Sequence, residues 1–184
     1  MENKRNVFVA GVHGVGKGYL CGKLAPMLDG VHITASSLIK GRKALGVAKA
    51  ITGIDANQAI LVEELAKFKA ASPFVLLDGH FCLYNKEYEI EPIDVRLFKE
   101  LSVAYIVMLT CAPSIILNRL VRRDNNASNL SIFHLEKLQN AEIEHSRLIS
   151  WKLNVPITFL DVSSEDLSYL PRLSETIALY FSNK

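Results

Sequence analysis

Cysteine is scarce in this chain and poorly spaced for pairing: Cys21, Cys82 and Cys111 are its three. An odd number with no C-x-x-C pair argues against a disulfide framework and against a thiolate metal or redox motif. It fits buried free thiols in a reducing cytosol. Charge of one sign is also lacking. The formal net charge of +2 is too small to call for nucleic acid or a membrane surface as partner. Long hydrophobic runs are missing as well. The basic start, MENKR, precedes only the short apolar run Val7–Val12, which runs into glycines. That is too short for a signal segment or a membrane span. No repeat, proline-rich linker or low-complexity stretch divides the sequence. One domain over residues 1–184 is expected, large enough to bury a core.

What is present is an alternation of short apolar runs with helical patterns. Asn6–Ala10 reads as a buried strand followed by a glycine-rich turn. Lys17–Leu28 reads as a helix, with Leu20, Leu24 and Leu28 at helical spacing. Val31–Thr34 is a short strand, and Ser36–Lys49 a helix with a serine cap. Asp55–Ala71 is amphipathic, its Ile60, Leu61, Leu65 and Phe68 on one side. Pro73–Leu77 is a strand ending at Asp78, and Tyr84–Pro92 an irregular polar stretch. Val103–Thr110 is a fourth strand, with Pro113 opening the next helix. Leu130–Leu153 is helical, Pro156–Leu160 a fifth strand, and a last helix runs through about Leu167–Phe181. Five continuous apolar strands separated by helices predict an α/β fold: a parallel sheet covered on both faces. In such sheets ligands sit at the carboxyl ends of the strands, where Gly11, Asp78 and Thr110 are placed.

Gly11-Val-His-Gly-Val-Gly16-Lys17 has the spacing G-x-x-x-x-G-K, between a strand and a helix. This is the P-loop pattern of nucleotide-binding NTPase folds. Glycines let backbone N–H groups converge on an anion, the helix start adds a positive dipole end, and lysine adds a charge able to bridge two phosphates. Gly11, Gly14, Val15, Gly16, Lys17, Gly18 and Tyr19 are therefore expected to hold the phosphates of a purine nucleotide, ATP above all. The hydroxyl residue that usually follows the lysine and ligates Mg²⁺ is Gly18 here, so the cation must rely on the nucleotide, water and a carboxylate. Asp78 is the candidate for that carboxylate, holding Mg²⁺ through water, or for orienting the acceptor as a substrate-binding residue; capping the Gly79 turn is the structural alternative. His80, two residues on, is a candidate for positioning water or a substrate oxygen, with a buried structural role equally open. His13 can serve through its backbone alone, and His32, His134 and His145 have no metal-ligand spacing and are assigned to surface or core. Arg119 shares a helical face with both Arg122 and Arg123, so at least one of the three is expected to touch phosphate.

The loop Gly11–Gly18 resembles that of adenylate kinases and related nucleoside-monophosphate kinases, with His13 for the family's proline and Tyr19 for its threonine. His32–Lys40 is similar to the segment that receives the monophosphate in that family. The resemblance places Thr34 and Lys40 at the acceptor, Lys40 standing for a phosphate-binding arginine. Val75–His80 resembles the strand ending in Asp-Gly, and its Asp-x-His form is similar to archaeal adenylate kinases and nuclear adenylate-kinase-like ATPases. Leu117–Asp124 resembles the arginine-bearing helix before the lid, and Gln139–Glu144 the helix after it; residues from about 124 to 130 would be a short lid. The resemblance implies transfer of the γ-phosphoryl of Mg·ATP to a nucleoside monophosphate. Lys17, Asp78, His80, Arg119 and Arg123 would be catalytic, and Arg119 and Arg122 would also touch the nucleotide. Tyr19, Cys82 in place of an arginine, and an arginine-free Asn125–Asn129 favour one alternative, a nucleotide-dependent switch or slow ATPase acting through a protein partner. A kinase of another small metabolite is a third reading, since such a fold hosts many acceptors.

Overall fold

The computed structural model of the chain describes residues 5–36, 62–63, 65, 72–124, 130–164 and 166–183. Five strands form one parallel sheet: β1 (Arg5–Ala10), β2 (Gly30–Thr34), β3 (Phe74–Gly79), β6 (Val103–Thr110) and β7 (Ile157–Asp161), in the order β2-β3-β1-β6-β7. β1 is central, and the chain turns to one side of it for β2 and β3 and to the other for β6 and β7. The crevice outside the carboxyl end of β1 is therefore a topological switch point, where such folds bind ligands. Register fixes what meets there. Val9 pairs with Asp78 and Ala10 with Gly79 on one side, and Ala10 pairs with Met108 on the other.

The strands form where they do because both faces are covered. Helix α1 (Lys17–Met27) packs on β2 and β3, and beside it lies α5 (Leu170–Ser182). The opposite face is covered by α2 (Val95–Glu100), α3 (Pro113–Asp124) and α4 (Ile132–Leu153). Burial on both faces is what makes parallel strands read as unbroken apolar runs. Val7, Val9, Ile106, Val107 and Leu109 are fully buried, each stabilising by about 1.5–3 kcal/mol. Phe8 packs edge-on against Phe81 and Phe98, whose own rings are tilted to each other, with all centroids 5.0–5.3 Å apart. Phe81 thereby anchors the chain immediately after His80.

Two features depart from the sequence reading. The stretch Tyr84–Pro92, expected to be irregular, closes an antiparallel hairpin of β4 (Cys82–Tyr84) with β5 (Ile90–Pro92). Asn85 holds its turn, its Oδ1 accepting from the amides of Glu87 and Glu89 at 3.0 and 2.9 Å. Strands of three residues are too short to display a period. Helix α2 was not foreseen; Asp94 caps it by accepting from the Arg96 amide at 2.7 Å. All three cysteines are buried, free thiols, as expected. The helix expected over Ser36–Lys49 lies, beyond Ser36, outside the described residues. So do Lys40, lid residues Asn125–Asn129 and most of Asp55–Ala71.

Candidate active site

The loop after β1 turns on three glycines with positive φ: Gly11 at 143°, Gly14 at 80° and Gly16 at 114°. A side chain at Gly11 would meet the Leu109 carbonyl oxygen at 2.7 Å, and one at Gly14 the Leu120 side chain at 2.8 Å. Only glycine lets the loop lie this close to β6 and α3 while leaving its inner side open. α1 then starts at Lys17, its early amide bond running from Leu20 to the Gly16 carbonyl at 3.0 Å.

Lys17 is buried, and its Nζ donates to the carbonyls of Gly11 at 2.7 Å and Val12 at 3.2 Å. Its third direction faces His80 Nε2 at 3.4 Å. Burial pushes the ammonium down to about 8, while Glu142 and Asp78 pull it back up. His80 is tied from behind. Its Nδ1 lies 2.9 Å from Glu142 Oε1, and the Phe81 amide donates to Glu142 Oε2 at 2.8 Å. A carboxylate accepts, so Nδ1 carries the proton and Nε2 presents its lone pair to Lys17. Burial, reinforced by Lys17, lowers His80 to about 3, so the ring is neutral at physiological pH. Burial raises the fully enclosed Glu142 to about 7, against the Phe81 amide and Lys17, which favour its charged form. The His13 ring lies 4.2 Å from that of His80 and is also held down, by burial and then by its cationic surroundings. His13 is the more exposed of the two rings and is lowered to about 3 as well.

On the other side of Lys17 stands Asp78. Its Oδ2 accepts from His32 Nε2 at 2.6 Å and from Thr34 Oγ1 at 3.3 Å. His32 and Thr34 are two apart on β2, so both reach the same face, and register sets Thr34 directly beside Asp78. Arg119 closes the far wall, with Nη1 donating to the Val15 carbonyl at 2.8 Å and Nη2 to the Val162 carbonyl at 3.0 Å. Gln139 binds both backbone groups of Cys111, at 3.0 and 3.1 Å, fastening the end of β6 to α4. These walls enclose a cavity of about 620 Å³. Its lining includes the polar side chains of Lys17, Asp78, His80, Arg119 and Arg123 and the apolar ones of Phe8, Leu83, Ile93 and Leu97.

Residues 10–136 match the model of a family described as AAA domain (AAA_17). The chain belongs to that AAA family. Solved structures agree on the fold. A gluconokinase from Sinorhizobium meliloti 1021 superposes with a TM-score of 0.55 at 18% identity, over 100% of both chains. A shikimate kinase from Acinetobacter baumannii, in complex with shikimate, gives 0.55 at 17% identity, over 100% of this chain and 96% of that one. No curated protein matches the chain. At these identities the likeness is one of fold, and it makes this AAA-family chain a P-loop kinase fold without singling out adenylate kinases.

Of the residues singled out from sequence, Gly14, Gly16, Lys17, Gly18, Tyr19, Thr34, Asp78, His80, Arg119 and Arg123 all face this one cavity. Gly11 and Val15 stand behind the loop, each giving a carbonyl to a cation of the site: Gly11 to Lys17 and Val15 to Arg119. Arg122 and Arg123 are both exposed on α3, and of the two Arg123 joins Arg119 in lining the cavity. His32 is a correction, since it is a partner of Asp78 rather than an incidental surface or core residue. Glu142 was not singled out at all. The signal for it was a charge on the buried stripe of α4, in line with Leu135, Leu138 and Ile149.

The shifts of His80 and Glu142 give a pH dependence with a definite sign. Folded His80 titrates near 3 rather than 6.5, so unfolding takes up a proton between those values. Its contribution to stability is full above about 6.5 and is lost as pH falls toward 3. Glu142, raised from 4.5 to about 7, works oppositely: its contribution is full below 4.5 and is lost as pH rises through 7. The two offset each other between 4.5 and 6.5 and leave a net loss from 4.5 down to 3. The melting temperature of His80→Asn should therefore fall less steeply than that of the parent protein over this lower window. Parallel slopes in thermal melts would show that His80 is not the buried neutral base described.

Proposed function

We propose that this chain is a phosphotransferase that moves the γ-phosphoryl of Mg·ATP to a small acceptor, most specifically a nucleoside monophosphate. The observation that carries the reading is the single cavity joining the glycine loop and Lys17 to an apolar wall of Phe8, Leu83, Ile93 and Leu97. At about 620 Å³ it has the size of a small-ligand pocket and exceeds what a phosphate tail requires. A flat base suits the apolar wall, whereas a polyhydroxylated acid would leave hydroxyls unpaired against it.

The residues present fit the groups this reaction needs. The three positive-φ glycines form a cradle that side chains would fill, which suits a triphosphate. Asp78 offers the cavity a carboxylate for Mg²⁺, with Gly18 beside it: a Cβ there would sit in ordinary contact, 3.9 Å from Asp78 Oδ2. Bound Mg²⁺ supplies charge neutralisation between the phosphates. Lys17 and the loop amides hold the β- and γ-phosphates. Arg119 and Arg123 bring positive charge to the transferring group, where phosphoryl transfer needs it most. Thr34, and Lys40 from outside the described residues, receive the acceptor. A cytoplasmic setting accords with the free thiols, and no helix among the described residues is long and apolar enough to cross a membrane.

A second reading, a slow ATPase or switch read by a protein partner, is favoured by one observation. The unprotonated Nε2 of His80 stands beside Lys17, where it can orient water. Incubation with Mg·ATP and each of AMP, dAMP, CMP, UMP, GMP and dTMP separates the readings. Conversion of one monophosphate at about one turnover per second or faster supports the kinase. ADP formation at one slow rate, with or without any monophosphate, rejects it in favour of hydrolysis.

A further inference from the structure

Beneath the phosphate loop, one turn along α1 from Lys17, Cys21 points into the same space as the Asp78 pair. Its Sγ, His32 Nε2 and an Asp78 oxygen all lie within 4.8 Å of one another. A thiol, an imidazole and a carboxylate from three different elements, α1, β2 and β3, are the donor types that zinc selects over magnesium. We infer that Cys21, His32 and Asp78 form a binding site for one thiophilic divalent cation, Zn²⁺ or a like ion, distinct in ligand chemistry from an Mg²⁺ site at Asp78.

The geometry needs little adjustment. Tetrahedral zinc with bonds of about 2.0–2.3 Å holds its ligand atoms about 3.3–3.6 Å apart. The His32–Asp78 pair must open from 2.6 Å, and Cys21, whose Sγ lies within 4.8 Å of both partners, must close by no more than about 1.3 Å. Entry is available, because Asp78 lines the cavity and Gly18 puts no side chain between the cavity and the His32–Asp78 pair. Charge balances too. The cation binds as the Cys21 thiol releases one proton to solvent, and its two positive charges meet one thiolate and one carboxylate. His32 binds through Nε2, so the proton that this nitrogen now donates to Asp78 passes by way of solvent to Nδ1, and the ring stays neutral. Among the described residues no fourth His, Cys, Asp or Glu side chain joins these three, so the fourth position falls to water or to an oxygen such as that of Thr34. Resting on the proposed phosphoryl transfer, one consequence follows: a cation held here draws Asp78 away from Mg²⁺, so micromolar Zn²⁺ inhibits turnover in millimolar Mg²⁺.

The test uses the reduced, full chain with Co²⁺ as a spectroscopic substitute and no nucleotide. The expected result is a thiolate-to-cobalt charge-transfer band saturating at one equivalent and removed by Zn²⁺. The band persists in Cys82→Ser/Cys111→Ser and is lost in Cys21→Ser, with His32→Gln weakening binding at least tenfold. A band that survives Cys21→Ser, or no saturable band in the parent protein, overturns the site. His32→Gln keeps the test decisive should Cys21→Ser fold poorly. Failure of the kinase reading leaves the band untouched, whereas failure of the site removes the band and leaves turnover as it was.

Discussion

Replacing Lys17 with Met lowers acceptor-dependent phosphoryl transfer by at least about 10²-fold, with only a small change in melting temperature. The two halves of that expectation come from the same environment. Lys17 is buried, and burial depresses its ammonium to about 8, so the folded protein bears a desolvated charge. Met removes that charge and refills most of the volume, which offsets the lost bonds to the Gly11 and Val12 carbonyls. Net hydrogen bonds to charged groups are worth about 1.5–3 kcal/mol, and the relieved desolvation is of similar size. Transfer has no such offset. The charge sits at the start of α1, and the glycines of the loop carry no side chain that could take its place at a phosphate. Steady-state rates beside thermal melts check both halves. A variant within a few-fold of the parent rate would remove Lys17 from the proposed chemistry. A variant that simply melts would show the lysine to be structural.

The parts of this site legible in sequence are those whose chemistry is local. Gly11 to Lys17 specify a loop by spacing, and the strands beside it are unbroken apolar runs because both faces of the sheet are covered. Asp78 follows from its place at the end of such a run. What stayed hidden depends on register or on helix facing. His32 meets Asp78 only because β2 and β3 pair with Thr34 beside Asp78, across more than forty positions of sequence. Period two along β2 does place His32 and Thr34 on one face, but not which neighbour they meet. Glu142 lay in plain view as a carboxylate on an apolar helical stripe, the kind of local inconsistency that marks function. The arginines show the opposite failure. Spacing allowed Arg119 to share a face with either Arg122 or Arg123, and of the two Arg123 joins it in lining the cavity.

Glu142→Ala should cost about 2–4 kcal/mol, since two buried donors, His80 Nδ1 and the Phe81 amide, lose their acceptor at about 1–3 kcal/mol each. Relief of the enclosed carboxylate, already pushed up to about 7, returns part of this. At about 2–4 °C per kcal/mol for a chain of this size, the melting temperature falls by several degrees or more. Glu142→Gln separates packing from chemistry. Its amide oxygen can keep the Phe81 bond, but its NH₂ then faces His80 Nδ1, which must give up its proton to accept. The ring proton moves to Nε2 and opposes the Lys17 ammonium at the 3.4 Å contact. Gln should therefore retain most of the stability that Ala loses and still lower transfer by about 10-fold or more, the low end of a single misplaced donor. Nitrogen NMR of the histidine ring reads the tautomer directly. Nδ1 protonated in the parent and Nε2 protonated in Glu142→Gln is the expected pair. An unchanged tautomer with unchanged rate would make Glu142 a packing residue with no hold on Lys17, and the line from α4 through His80 to the phosphate loop would carry no function.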